Sequence, residues 1–409
     1  MNTRRAAKWC VSAIGLLAWA TAAPTWAADL DGDGVPDAWD ACPETPTGIP
    51  VDAQGRPLGD VDKDCDVDMA DFVLLQASMT GPSPNPAGMV LVPGGEFLMG
   101  DSFLEGAPDE YPRHAVQVDS FYMDAHEVTN QQYVDALNWA LRQGNLIAVT
   151  NGLIYQDGSS IVYAATQTAE TASSVVWNGS SFACLPYRAT HPMVMVSWYG
   201  AAAYANWRST MLQQPPAYDL ATWSCNLAAG YRLPTEAEWE KAARGGLVGY
   251  RFPWADSDTI EHTRANYRSD AAYAYDTSTT RGYHPLWGVT GSNCWTSPLR
   301  FFSGALQEQA EWAWPGSPGS YQTQNGVNGY GLHDMAGGVW EFCNDWYDAA
   351  WYAASPYANP QGPTTGTVRV MRGTGWGWYA SAARCAARAS IAPDTRYVDA
   401  GIRLVLRAP

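Results

Sequence analysis

The chain of 409 residues carries 41 acidic and 24 basic residues, which gives a formal net charge of −17 at pH 7. This charge repels nucleic-acid phosphates and anionic lipids, so neither is an expected partner. The 20 tryptophans and 22 tyrosines are far above ordinary usage, and they indicate either a loop-rich core filled with aromatic side chains or a surface that stacks on carbohydrate or peptide.

Residues 1–27 have the pattern of a secretory signal peptide. Basic residues at the start are followed by the apolar stretch Trp9–Ala20, and Thr25-Trp26-Ala27 offers a small-x-small cleavage site. The apolar stretch is too short to span a bilayer. The sequence therefore predicts an exported protein without a membrane span, secreted into the medium or periplasm or held at the cell surface.

Residues 28–80 form an acidic module in which aspartates recur at the spacing of a twelve-residue calcium loop. Gly34 stands at the turn position of the first loop, and Cys65 stands there in the second. An acidic linker without an ion is the alternative, but clustered aspartates need a cation to become compact. We predict Ca²⁺ as the ligand. The predicted ligands are Asp29, Asp31, Asp33, Asp37 and Asp40 in the first loop and Asp60, Asp62, Asp64, Asp66, Asp68 and Asp71 in the second.

The first of these loops resembles a thrombospondin type 3 repeat, and the second resembles a dockerin-type half of an EF-hand. Cys42 and Cys65 are the two cysteines of the module, so we predict a disulfide between them. Removal of the signal peptide leaves an odd number of cysteines, and connectivity beyond this pair stays open. Residues 81–88 carry closely spaced prolines and are predicted to be a stiff linker.

Residues 89–409 are predicted to form one large α+β domain, a mixed α/β arrangement poor in regular secondary structure. The Ser- and Gly-rich insert at 145–190 is predicted to be a peripheral decoration. Short apolar runs predict strands at 90–92, 97–99 and 402–406. Capping residues predict three helices, namely Thr129 with Gly144, Ser197, and Thr235 with Gly245. The acidic side chains of the third helix, Glu236, Glu238 and Glu240, are predicted to form a solvated face.

Four motifs in this domain occur in a fixed order. They are VLVPGGEFLMG at 90–100, YRLPTEAEWEKAARGG at 231–246, GYGLHDMAGGVWEFCNDWY at 329–347, and VMRGTGWGW at 370–378 continuing to IRLV at 402–405. Together they resemble the formylglycine-generating enzymes, also called sulfatase-modifying factors. This resemblance implies a fold related to C-type lectins. It also implies oxidation of a substrate cysteine to formylglycine by oxygen, on an active-site cysteine pair that holds copper.

The cysteine pair of that family follows an Arg-Gly-Gly-Ser turn, and it is missing here. The matching turn is Arg372-Gly373-Thr374-Gly375, and residues 376–384 contain no cysteine. Because thiolate is the ligand that selects a cuprous ion, copper is not expected and no catalytic or cofactor-binding residue is assigned. Cys385 is predicted to be a core or disulfide cysteine. Trp376 and Trp378 lie in the segment where the related enzymes have their copper site. They are predicted to line the hollow that this site occupies in those enzymes.

Structural calcium inside the main domain is implied by the same resemblance. Similar proteins draw calcium ligands from a Gly-Asn-x-Trp-Glu motif and an Ala-Asn-Tyr motif, which match residues 337–341 and 265–267. In the first motif Gly338 stands at the position of the asparagine whose side-chain amide binds calcium in similar proteins. The implied ligands are Asn266, Asp276 and Glu341, and the alternative is that these residues act as caps or turn residues. The six histidines show no metal-ligand spacing.

Two functions remain open at this point. The first is a calcium-dependent binding or scaffold protein that keeps the family fold without its oxidase chemistry and recognises an unknown protein or glycan. The second is an oxidoreductase of the sulfatase-modifying type that acts on a cysteine of a secreted sulfatase or another protein. The missing cysteine pair favours the first, and the well-kept motifs favour the second.

Overall fold

The structure of this chain, a computed structural model, describes Cys42 and residues 85–288 and 295–409. The signal peptide and all eleven predicted calcium ligands between Asp29 and Asp71 lie outside the described residues, so those predictions stay predictions. Cys42 is buried and disulfide-bonded. Its predicted partner Cys65 lies outside the described residues, and the pairing stays a prediction. Gly88–Pro409 form one compact unit.

The helices predicted from capping residues are present. Thr129 and Thr235 each form a capping box with the residue three positions later, and Ser197 accepts a hydrogen bond from the Gly200 amide. Gly144 and Gly245 end their helices in the left-handed conformation. Within the described residues the helices are α1 (Asn130–Gln143), α2 (Trp198–Met211), α3 (Glu236–Arg244) and α4 (Gln309–Trp312), with 3₁₀ turns at Pro108–Glu110, Trp351–Ala353 and Ala380–Ala383.

Short strands supply the rest of the regular structure. They are β1 (Met89–Val92), β2 (Gly95–Met99), β3 (His114–Val118), β4 (Phe121–Asp124), β5 (Ile147–Thr150), β6 (Leu153–Gln156), β7 (Val162–Ala165), β8 (Val175–Trp177), β9 (Phe182–Cys184), β10 (Leu306–Glu308), β11 (Ser320–Gln322), β12 (Trp340–Trp346), β13 (Arg369–Arg372), β14 (Ala389–Ile391), β15 (Ala400–Gly401) and β16 (Val405–Arg407). The domain is therefore mixed and strand-rich with few helices, as predicted.

A four-stranded sheet in the order β14-β13-β12-β15 holds Arg372, the first residue of the turn Arg372-Gly373-Thr374-Gly375, at the end of β13. In this sheet β13 pairs antiparallel with β12, so that Arg372 lies opposite Glu341. Strand β15 runs parallel to β12, with Ala400 opposite Trp340. The turn that follows β13 therefore lies near the residues that precede β15.

The predicted strand at 402–406 is wrong in its bounds, because the structure ends one strand at Gly401 and begins the next at Val405. The interruption coincides with Arg403, whose side chain is fully buried. Its guanidinium bonds the Glu341 carboxylate, with Nε and Oε1 2.9 Å apart, and donates to the Asp124 carbonyl. The backbone bonds of the interrupted segment go to Val128 and Asp124, whose amides donate to the Ile402 and Leu404 carbonyls at 2.7 and 2.9 Å.

The insert at 145–190 is not peripheral. Its strands β5, β6 and β7 form one sheet, and β8 and β9 form a hairpin. Ile154, Tyr163 and Val175 of the insert are fully buried in the main hydrophobic core. A Cβ on Gly200 would lie 2.2 Å from the Tyr163 carbonyl oxygen, so helix α2 approaches β7 at a distance that only glycine permits.

The acidic face predicted for α3 is buried instead of solvated. Glu236, Glu238 and Glu240 are at most 7 % exposed, and each carboxylate has an arginine partner, Arg388, Arg232 and Arg244 respectively. Buried carboxylates are stable when paired in this way. In the described part of the chain, no helix is long and apolar enough to cross a membrane.

Candidate functional site

The turn after β13 is built from residues with unusual backbone angles. Gly373 and Thr374 both have positive φ, at 93° and 71°. The Gly337 amide donates to the Gly373 carbonyl at 2.9 Å, which ties the turn to the loop before β12. A Cβ on Gly375 would lie 2.1 Å from Oδ2 of Asp399, so glycine is required there.

No thiol lies in this turn, and two tryptophans take different positions in it. Trp376 stacks on Trp295, with ring centroids 4.7 Å apart, and its Nε1 donates to the Val398 carbonyl. Trp378 packs edge-on against Trp340 and is 47 % exposed. Only Trp376 of the two lines the adjoining cavity. The prediction that both tryptophans line one hollow stays a prediction.

The cavity beside Trp376 has a volume of about 180 Å³. Its inner wall contains the buried side chains of Arg188, Ser174 and Thr296, and its rim is more exposed. Five separate stretches of the chain contribute to it, which explains why spacing along the sequence did not indicate it. The lining residues are Thr171, Ala172, Ser174, Arg188, Val194, Trp295, Thr296, Trp376 and Val398.

A buried histidine links two polar groups of the inner wall. His191 Nδ1 lies 3.2 Å from Nη1 of Arg188 and 2.9 Å from Oγ1 of Thr296. Burial first, and the neighbouring Arg188 second, hold the pKa of His191 well below its usual range, so this ring is neutral at pH 7. Arg188 and Thr296 therefore converge on one edge of the cavity, and Arg188 is the charged side chain of the lining.

Asp399 lies beneath the turn, next to Val398 of the cavity. It is 2 % exposed, and its Oδ1 has no hydrogen-bond partner among the described residues. Burial raises the pKa of its carboxyl to about 7, although the Gly377 amide and the Trp378 indole act to lower it. This carboxyl therefore changes its protonation state near neutral pH.

The cysteines that the structure describes as free do not form an alternative thiol site. Cys343 and Cys385 are buried, and burial raises the pKa of Cys385 to about 12 and that of Cys343 well above its ordinary value. Burial also raises the pKa values of Cys184 and Cys225 to about 11. The thiolate is the reactive and metal-binding form, and burial holds these four side chains in the thiol form at pH 7. Cys385 is a core cysteine, as predicted.

The residues implied as calcium ligands in this domain lie in three separate hydrogen-bond networks. Asp276 accepts from Tyr267 and the Asp270 amide at 2.7 and 2.8 Å. Glu341 accepts from Trp239 Nε1 at 2.6 Å and from Arg403. No group of three or more His, Cys, Asp or Glu side chains within residues 85–288 and 295–409 is arranged to hold a metal.

Asn266, the third implied ligand, acts as a bridge between two loops. Its side-chain amide donates to the Trp295 carbonyl at 2.8 Å. Its own carbonyl accepts from the Gly338 amide at 2.8 Å. A structural role for Asn266 is therefore visible: it fixes Trp295, and so one wall of the cavity, against the loop before β12.

Comparison with known proteins shows which family this chain resembles. Residues 76–408 match the sulfatase-modifying factor enzyme 1-like domain. The formylglycine-generating enzyme of Streptomyces coelicolor is 33 % identical over 352 residues, which cover 80 % of this chain and 92 % of that protein. The serine/threonine-protein kinase pkn1 of Chlamydia pneumoniae is 31 % identical over 323 residues, but these cover 77 % of this chain and only 37 % of that protein.

A further relative is named as inactive. The inactive C-alpha-formylglycine-generating enzyme 2 of Mus musculus is 27 % identical over 340 residues, which cover 79 % of this chain and 86 % of that protein. Proteins named for an enzyme and a protein named as inactive thus share this sequence pattern. The extent of the match to the family domain decides membership: the chain belongs to the family of sulfatase-modifying factor enzyme 1-like domains.

Proposed function

We propose that this protein is an exported binding protein that keeps the family fold and lacks its copper–thiolate oxidation chemistry. The observation that carries this proposal is the turn after β13, where Trp376 and not a cysteine faces the cavity. A cuprous ion needs soft ligands, and indole and alanine side chains do not supply them. Burial raises the pKa values of Cys343 and Cys385, which supports the proposal because it disfavours the thiolate form at both positions.

The second candidate function is oxidation of a cysteine in a secreted sulfatase or another protein. It is favoured by the 33 % identity to a formylglycine-generating enzyme. It would require metal ligands other than the family's cysteine pair.

Incubation with copper, reductant, oxygen and a Cys-x-Pro-x-Arg peptide separates the two functions. We expect the peptide mass to stay unchanged and the purified protein to carry no stoichiometric copper. The Streptomyces coelicolor enzyme, run in parallel, serves as the positive control for conversion. Copper-dependent conversion of the peptide thiol to an aldehyde by this protein would sink the proposal, and Cys343→Ser and Cys385→Ser would then show which thiol acts.

We further propose that the acidic module at 28–80 binds Ca²⁺ and organises the exported protein. The support is the aspartate spacing of its two loops, each closed by aspartate at the last position, a shorter ligand than the usual glutamate. We expect calorimetry on the mature protein to detect calcium uptake near millimolar concentration. The double variant Asp33→Asn/Asp64→Asn removes a central ligand from each loop and should abolish that uptake. Equal uptake by both proteins would place the calcium elsewhere.

A further inference from the structure

We propose that Lys241 is a reactive amine that forms an imine with a small apolar aldehyde held in a second cavity. This cavity has a volume of about 260 Å³ and is lined by residues of strand β2, helix α3 and the loop after α3. It shares no lining residue with the cavity beside Trp376. Its chemistry is therefore independent of the proposed function.

Lysine is rare in this chain, and Lys241 is the lysine of the main domain. Lysine and arginine together number 24, but the lysines are Lys8, Lys63 and Lys241. Lys8 belongs to the predicted signal peptide and Lys63 to the acidic module. Arginine stays charged at every pH that proteins encounter, whereas a lysine can lose its proton and become a nucleophile. Lys241 is therefore the basic side chain of this domain that can react as a neutral amine.

The side chain of Lys241 is desolvated and lies against an aromatic ring. Lys241 is 5 % exposed. Its Nζ donates to the Gly95 carbonyl at 3.0 Å and lies 5.5 Å from the centre of the Phe97 ring. Burial lowers the pKa of Lys241, because the charged form loses hydration there. A larger share of this amine is therefore unprotonated near neutral pH than in an exposed lysine.

The other charged side chains of the cavity lining are bonded elsewhere. Arg244 pairs with Glu240, with Nη2 and Oε1 2.6 Å apart. Glu96 accepts a hydrogen bond from the Tyr357 hydroxyl at 2.9 Å. Within the described residues no carboxylate lies in ion-pair distance of Lys241. The amine is thus not neutralised by a salt bridge, in contrast to the buried arginines of this domain.

The lining favours a neutral apolar ligand over an acid. Phe97 and Leu98 of β2 and Leu247 and Val248 of the loop after α3 contribute apolar side chains. Glu96 is exposed in the lining and repels carboxylates. A volume of about 260 Å³ equals that of about nine water molecules in the liquid. An aldehyde with one apolar ring fits these properties.

Imine formation is balanced without an oxidant or a reductant. The free amine of Lys241 attacks the carbonyl carbon, and a C–N bond forms. Both amine hydrogens pass through solvent to the carbonyl oxygen, which leaves as water when the C=N bond forms. Ser102 and Tyr330 also line the cavity, and a hydroxyl group can donate a hydrogen bond to the carbonyl oxygen during the attack.

Reductive trapping on the mature full-length chain tests this reaction. Benzaldehyde is added with cyanoborohydride, which reduces an imine to a stable benzylamine, and peptide mapping by mass spectrometry locates the label. At pH 7 Lys241 should be labelled at least about tenfold faster than Lys63, because the cavity holds the aldehyde beside a desolvated amine. The rate at Lys241 should saturate with benzaldehyde concentration. Glyceraldehyde keeps the carbonyl but lacks the apolar ring, and it should label Lys241 no faster than Lys63.

Three variants connect the labelling to the cavity. Val248→Trp places a large ring in the lining at a position that is 71 % exposed, and it should slow labelling of Lys241 at least about tenfold by steric exclusion. Leu104→Trp is the matched control, because Leu104 is 85 % exposed and does not line the cavity. This control should react as the unmodified protein does. Lys241→Arg keeps the charge and should remove the label from this peptide.

Several outcomes would overturn the inference. Labelling of Lys241 at the rate of Lys63, without saturation, would show an ordinary lysine. Equal labelling by glyceraldehyde and benzaldehyde would remove the selection for an apolar ligand. Equal rates in Val248→Trp and Leu104→Trp would place the reaction outside the cavity. The Cys-x-Pro-x-Arg peptide assay tests the proposed function separately, since its result does not depend on Lys241.

Discussion

Replacement of Arg372 by methionine is expected to lower the free energy of unfolding by about 3–5 kcal/mol, the range found when one partner of a buried ion pair is removed. Arg372 is fully buried and forms an ion pair with Glu240. Its guanidinium also donates to the carbonyls of Cys385, Ala386 and Ala387 at 2.8–2.9 Å. Methionine fills similar space but supplies none of these donors, so a carboxylate and three carbonyls lose a partner.

Glu240 shows why the loss is large. Its carboxylate is fully buried and faces two arginines, since Arg244 Nη2 lies 2.6 Å from Oε1 and Arg372 holds Oε2. Burial acts to raise the pKa of Glu240, but Arg244 and Arg372 together hold it below its usual value. Without Arg372 the cost of burying this charge is offset by one arginine only.

Urea unfolding of the mature protein, followed by circular dichroism, measures the effect. Arg251→Met is the matched control, because Arg251 pairs with Glu105 and Asp258 while all three side chains stay 20–29 % exposed, and it should cost below about 1 kcal/mol. Glu240→Gln combined with Arg372→Met should cost less than the sum of the two single variants. If Arg372→Met and Arg251→Met lowered the free energy of unfolding equally, burial would not determine how much an ion pair contributes to stability.

Features coded by neighbouring residues could be predicted from the sequence, and features coded by distant residues could not. The capping boxes at Thr129 and Thr235 need only four consecutive residues, and the structure confirms them. The burial of Glu240 depends on Arg372, 132 positions away. A sequence pattern of alternating acids on a helix does not contain that information. The same argument applies to the burial of Arg403, whose partner Glu341 lies in another motif.

Some residues of the candidate site could likewise be predicted from the sequence, and others could not. The missing cysteines and the presence of Trp376 could be read directly from the turn after Arg372, because the family motif fixes that position. Arg188 and Trp295 could not be found, since they come from loops with no motif and meet Trp376 only through the fold. The excess of tryptophan in the composition was the one available signal, and it does not identify which rings face a cavity.

Replacement of Asp399 by asparagine is expected to stabilise the protein most above neutral pH and to have little effect near pH 3. The Asp399 carboxyl is buried at 2 % exposure with Oδ1 unpartnered among the described residues, and burial raises its pKa from an ordinary 3.8 to about 7. The native state therefore keeps this proton up to about pH 7, whereas the unfolded chain releases it near pH 4. Between these values the native state binds more protons, so this carboxyl makes stability fall as pH rises, by about 1.4 kcal/mol per unit.

Asparagine is neutral at every pH, so the advantage of Asp399→Asn should grow from near zero at pH 3, through about 1.6 kcal/mol at pH 5, to at most about 4 kcal/mol at pH 9. The measurement is the difference in unfolding free energy between variant and unmodified protein at each pH, which cancels every other titrating group. Among these are the buried histidines, such as His262, whose pKa is lowered by burial to about 4 and which destabilise the native state as pH falls below 6.5. Asp394→Asn is the control, because Asp394 is an exposed carboxylate of the same loop, and it should change stability by less than about 0.5 kcal/mol throughout. An advantage of Asp399→Asn that is the same at pH 5 and pH 9 would show that the carboxyl does not titrate near neutrality beneath the turn.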